Sequence, residues 1–219
     1  MALSDFTPIV GAGNVTPVDN VDNVLGSGPR CLSIVASYWY QNLVSLAGQR
    51  IGCWAMTRRS SGGGGQGGIL SLSLRNQDSA APGVATAHYV AEISGIGGTT
   101  MSLTIQRRLT GSSFLSLYTN SSYTPPSGTI PTICGPIGQW CSLAQSWQKW
   151  RFGCITFGPQ VLLRLENWNQ NTSQWTIVAD IVDSSVGRIT SSGYARFGNA
   201  QSVAGCEALV DDILVESLL

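Results

Sequence analysis

Hydrolysis of a glycosidic bond needs two carboxylates facing each other across it, roughly 5 to 10 Å apart. Close acidic pairs occur here at Asp180 with Asp183 and at Asp211 with Asp212. Adjacent residues of an extended segment point to opposite faces, so Asp211 and Asp212 are expected to diverge and not to form a dyad. Chemistry driven by an imidazole base would rest on His88, the one histidine in 219 residues. It stands in a strand-like run without a visible partner, where a histidine is more often simply exposed or hydrogen-bonded. Asp180, Asp183 and one of Asp211 or Asp212 could offer oxygens to calcium, but turn capping accounts for the same residues. The expectation is no catalytic residue, no metal site and no cofactor, and a chain that is not an enzyme.

A binding surface is better supplied. An aromatic ring can cover the apolar face of a sugar while amides bond its hydroxyls, and Trp168, Asn169, Asn171 and Trp175 gather both chemistries around one short link. The competing role for these rings is packing, since a two-layer core also takes bulky aromatics and seven tryptophans are spread along the chain. The glycine cluster at 61–68 invites a phosphate-loop reading, but no Gly-Lys-Ser/Thr follows. The next segment, 69–75, alternates like a strand instead of opening a helix. The cluster is expected to be a flexible loop.

The elements that must position these residues are strands. In 161–166, Val161, Leu163 and Leu165 face one way while Arg164 and Glu166 face the other, and Trp150, Phe152 and Cys154 form a second such stripe. Similar runs occur at 31–40, 50–57, 88–93, 100–107, 113–118, 174–179 and 209–215. They are separated by links rich in Gly, Asn and Ser, and 167–173 reads as the turn of a hairpin. Between 120 and 147 the pattern dissolves into a proline-bearing insertion with a short helix-like stretch at 141–147. Residues 1–29 carry few apolar side chains and read as an irregular arm, leaving 30–219 as one β domain. Two antiparallel sheets packed face to face are the economical arrangement, with an up-and-down barrel as the alternative.

Composition excludes several partners. Only 11% of residues are charged, with 12 basic against 12 acidic, so there is no electrostatic footprint for nucleic acid or an anionic membrane. No apolar run approaches the roughly 20 residues of a spanning helix, and the N-terminus lacks the pattern of a secretory signal. Synthesis in a cytoplasm is expected. The six cysteines show no C-x-x-C spacing and are expected as reduced, buried thiols. Only Cys134 and Cys141 are placed for a local bridge.

The order of features at the C-terminal end resembles a known family. A Trp-Arg-Phe strand (150–152) is followed by a Val-Leu-Leu-Arg-Leu strand, a turn and Trp175. Asp180 and Asp183, Gly-Tyr-Ala-Arg-Phe-Gly at 193–198 and Val-Asp-Asp-Ile-Leu-Val at 210–215 complete the set. This is similar to the concanavalin A-like, laminin-G-like jelly roll, an all-β antiparallel sandwich. The resemblance spans about 30–216 and is specific only at its end. Lectins, glucanases and accessory proteins of tailed-phage particles share the fold, which by itself does not choose a function. Sandwich glucanases carry Glu-x-Asp-x-Glu on one strand, which is absent here. The phage group fits a short chain made of an arm and a sandwich. The resemblance thus implies a structural virion protein of a tailed bacteriophage, a capsid decoration (cement) or tail-appendage protein. It would be assembled in the host cytoplasm and dock as a homo-oligomer on major capsid or tail proteins. The alternative is a lectin-like module binding a host surface glycan through Trp168, Asn169, Asn171 and Trp175. No nucleic acid and no membrane are expected among its partners.

Overall fold

The computed structural model describes residues 6–8, 15–19, 30–35, 39–42, 44–59, 67–77, 87–96, 100–109, 113–126, 130–131, 146–169, 171–200 and 206–219. Its strands are β1 (Phe6–Pro8), β2 (Val15–Asp19), β3 (Arg30–Val35), β4 (Trp39–Asn42), β5 (Gln49–Arg59), β6 (Ile69–Asn76), β7 (His88–Ser94), β8 (Met101–Arg108), β9 (Phe114–Tyr123), β10 (Ile130–Pro131), β11 (Ser146–Phe157), β12 (Gln160–Asn169), β13 (Gln174–Asp183), β14 (Tyr194–Asn199) and β15 (Cys206–Ser217). One sheet runs β1-β4-β14-β6-β7-β8-β9 and the other β13-β12-β11-β5-β15-β3-β2, with β10 added to β11. Every pairing among these strands is antiparallel.

The chain crosses between layers from β3 to β4 to β5 to β6, lays down the meanders β6–β9 and β11–β13, then crosses again from β14 to β15. The late strands slot between the early ones, β14 between β4 and β6, and β15 between β5 and β3. This is the path of a jelly-roll sandwich, the all-β class expected from the sequence and its resemblance. Two segments of residues 1–29 run as edge strands, β1 on β4 and β2 on β3; the rest of that stretch lies outside the described residues, as does most of the glycine cluster.

The alternating stripes decide which face turns inward. Ile51, Cys53 and Ala55 of β5, Trp150, Phe152 and Cys154 of β11, and Val161, Leu163 and Leu165 of β12 are fully buried. They meet Leu70, Leu72, Tyr89, Ile93, Leu103, Ile105 and Phe197 of the other layer in one core. Each large side chain so covered contributes about 1.5–3 kcal/mol. One reading differs from the sequence. The run 31–40 is not one strand: β3 and β4 belong to different sheets. Of the helix-like stretch 141–147, Ser146 and Trp147 open β11, where Trp147 pairs with Ile130; its other residues fall within 132–145, which, with Cys134 and Cys141, lie outside the described residues.

Two buried polar knots tie the layers together. Arg75 sits in a left-handed backbone conformation, φ 57°. Its buried guanidinium donates to the carbonyls of Ile189 (2.5 Å) and Ala47 (2.6 Å) and to Thr156 Oγ1 (2.7 Å). Asp183, at the end of β13, takes Tyr89 Oη at 2.7 Å and Arg107 Nη1 at 3.0 Å on one oxygen. The other oxygen takes the amide (3.1 Å) and hydroxyl of Ser185. Burial alone would raise that carboxyl; the bonds from Ser185 and Tyr89 and the charge of Arg107 outweigh it and hold it below its ordinary value.

Candidate functional site

The outward face of the β13-β12-β11-β5-β15 layer carries a second apolar cluster. Inward-facing Trp150 and Phe152 leave Trp147, Lys149 and Arg151 on the opposite side of β11, where Trp147 meets Trp54 and Met56 from β5. Trp54, Met56, Trp147 and Leu209 are buried together, with Trp168 packed against them. Trp168 and Trp175 are direct cross-strand partners in the β12–β13 hairpin; their rings are 5.3 Å apart and inclined at 70°. Such an edge-to-face pair contributes about 0.5–1.5 kcal/mol beyond its area.

Two cations lie on these rings. Lys149 Nζ is 5.7 Å from the ring centre of Trp54 and 5.8 Å from those of Trp168 and Trp175. The Arg151 guanidinium carbon stands 4.0 Å over Trp175. Arg151 is fixed in that pose by Glu166, to which it donates through Nε (2.5 Å) and Nη2 (2.8 Å). Beside them opens a cleft of about 470 Å³, bordered by Trp175, Lys149, Arg151, Arg50, Glu216 and Asp212 over Gly52. Arg50 and Glu216 form an ion pair at 2.8 Å. A smaller hollow of about 300 Å³ lies next to it and shares Arg50 and Arg151. Its floor is Gly153, where an added Cβ would make only ordinary contact, 3.8 Å from Leu218.

Asp212 reaches the cleft through an irregularity. The β15–β5 register slips between Asp211 and Leu214, and Asp212 adopts φ 49°. That is a left-handed conformation which Asp tolerates better than most residues. The strict alternation expected of Asp211 and Asp212 therefore fails at this bulge. Asp212's amide donates to Asp211 Oδ1 at 2.8 Å. Burial, and then the neighbouring Asp211 charge, push the Asp212 carboxyl above its ordinary value.

Of the residues the sequence singles out for sugar contact, the structure brings Trp168 and Trp175 together and sets Trp175 on the cleft. Asn169 turns its side-chain oxygen to the amides of Asn171 (3.0 Å) and Thr172 (3.4 Å), so it caps the hairpin turn. Asn171 stands exposed on that turn, and neither amide borders the cleft. Lys149 and Arg151 were not foreseen, and the sequence marks Asp212 only as half of an acidic pair or as a calcium oxygen. The first two were legible from Trp147-x-Lys149-x-Arg151, an outward stripe opposite Trp150 and Phe152; Asp212 depends on a bulge that no local pattern announces.

The acidic pairs separate likewise. Asp180 is bound to Arg164 at 2.6 Å on the outer face, while Asp183 is interior. Glu166 and Glu216 are each held by an arginine. His88 opens β7 opposite Arg108. Among the described residues no group of three or more His, Cys, Asp or Glu could hold a metal ion, and no helix is long and apolar enough to cross a membrane.

No protein-family model and no curated protein matches the sequence. Solved structures similar to the chain include a carbohydrate esterase, vb_24B_21 from Shiga toxin-encoding bacteriophage phi24B. It shares 13% identity with a TM-score of 0.49, covering 98% of this chain and 91% of that one. Basic winged bean lectin with Tn-antigen shares 10% identity with a TM-score of 0.48, covering 97% and 90%. A β-1,3-glucanase from Mycobacterium marinum shares 14% identity with a TM-score of 0.40, covering 85% and 74%. What those proteins bind or cleave does not carry over at such identities.

Proposed function

We propose that this chain is a glycan-binding sandwich that holds its ligand without turning it over, with the cleft beside Trp175 as the contact. One observation carries the reading: a half-buried indole borders an open cleft together with donor-bearing side chains that are already held in place. Trp175 offers a surface for the apolar face of a sugar ring, and Lys149, Arg151 and Asp212 stand around it to bond hydroxyls. Of the two carboxylates bordering the cleft, Glu216 is tied to Arg50, which leaves Asp212 without an untied carboxylate partner and supports binding over acid-base work. A glycan panel followed by calorimetry tests this. Binding should be saturable, and Trp175→Ala should weaken it by about tenfold or more, the loss expected for a central aromatic contact. Trp168→Ala, which removes the ring's support, should do the same to a lesser degree. Silence across a broad panel would refute the reading.

A second reading is favoured by the sheet edges. Among the described residues the terminal strands β9 and β13 each have one side without a partner strand and expose Phe114, Ile177 and Val182. Open edges with apolar side chains suit addition of a neighbouring chain. On this reading the chain is a structural protein of a tailed-phage virion, a homo-oligomer docked on capsid or tail proteins. Ile177→Lys with Val182→Lys should then convert an oligomer to monomer in size-exclusion chromatography with light scattering. A wild-type monomer at high concentration would count against self-association.

A further inference from the structure

Two cations lie on the Trp175 ring, and the carboxylates around the cleft do not use all of their donors. Arg50 and Glu216 neutralise each other, and two of Arg151's donor groups are spent on Glu166. Two sets of donors remain, with Asp212 as the carboxylate of the cleft that no ion pair among the described residues holds. Lys149 Nζ makes no ion pair or hydrogen bond among the described residues and lies against three indole rings, with the Asp212 charge near enough to act on it across the cleft; ring faces attract a cation without neutralising it. Arg151 Nη1 likewise has no hydrogen bond, and the guanidinium is rigid because Trp175 and Glu166 fix it. Both cations approach the same Trp175 ring and both line the cleft beside it. Resting on the glycan reading of this cleft, we infer that the saccharide it takes is an acidic one, its carboxylate received by Lys149 and Arg151 while Trp175 covers the sugar ring.

A sugar carboxylate supplies what the two vacant donors lack, a compact anion with two acceptor oxygens. An apolar ring face beside that anion is what separates a uronate-type sugar from an acidic peptide as the occupant. Asp212 is the opposing element. It lines the same cleft, and as a carboxylate it disfavours an anionic ligand.

The test uses polygalacturonate, the same polymer with its carboxyl groups reduced, and polyglutamate, titrated into the full chain by calorimetry. The carboxylated polysaccharide should bind about tenfold more tightly than its reduced form, as expected for a charge-assisted contact. Lys149→Gln, with an unchanged circular-dichroism spectrum and melting temperature, should abolish that preference. Asp212→Asn keeps the left-handed backbone accessible and should tighten the acidic polymer alone, by about two- to fivefold. Equal binding of the two polysaccharides, or insensitivity of the preference to both substitutions, overturns the acidic class and leaves the cleft a neutral-glycan site. Polyglutamate binding as tightly as polygalacturonate also overturns it. Binding of neither polysaccharide overturns the acidic class, and the glycan reading beneath it falls separately, on silence across the broad panel.

Discussion

Burying the carboxylate of Asp183 is tolerable only because Tyr89, Arg107 and Ser185 all donate to it. Removing it strands a guanidinium whose side chain is also interior, so Asp183→Ala should cost roughly 3–5 kcal/mol in denaturant unfolding. Its depressed carboxyl also sets a pH dependence. The folded state binds this proton less readily than the unfolded chain, so the contribution is complete above the unfolded value of about 3.9 and is lost as pH falls through the lower folded value. Wild type should therefore lose stability on acidification below about pH 4, and the Asp183→Ala curve should be flatter there. The thiols behave oppositely. Burial pushes Cys53, beside the Asp211 charge, and Cys154, despite Arg75, each up to about 12. Neither should be alkylated by iodoacetamide at pH 8 in the folded chain, and both should react once it is unfolded.

At the scale of elements, turns and close approaches are the sensitive points. Gly193 bridges to Leu46, and a Cβ added there would stand 2.5 Å from the carbonyl carbon of Arg75. Gly193→Ala must therefore displace backbone around a buried charge, and a loss of about 1–3 kcal/mol is expected from the denaturation midpoint. Asn169→Ala should cost less, about 0.5–1.5 kcal/mol, by freeing the amides it caps in the β12–β13 turn. The strands themselves were legible where one face is buried and the other wet. Val161, Leu163 and Leu165 pack inward while Arg164 reaches out to Asp180, as their alternation implies. Legibility failed where both faces are covered. Ser71, Ser73 and Arg75 of β6 are as buried as Leu70, Leu72 and Leu74, so polar identity misreports their surroundings. It failed too at the Asp211–Leu214 bulge, where one extra residue resets the alternation.

For the whole molecule, the outer layer's cleft was half legible. Trp168 and Trp175 are seven residues apart across a turn, a spacing local enough to read as cross-strand neighbours. Trp54 and Asp212 join them only through the β5–β11 and β5–β15 pairings, which no short-range pattern encodes. The same long-range order governs how the molecule is made. β15 is the strand between β5 and β3, and β14 the one between β4 and β6. A ribosome delivers the flanking strands well before the ones that must separate them, so during synthesis their open edges can pair wrongly with each other or with a nearby nascent chain. Closure of both layers waits on β14 and β15. Manufacture of this molecule is thus a zip fastened last at its centre, and a transcript truncated before Cys206 yields material for proteases or aggregates instead of a smaller working sandwich.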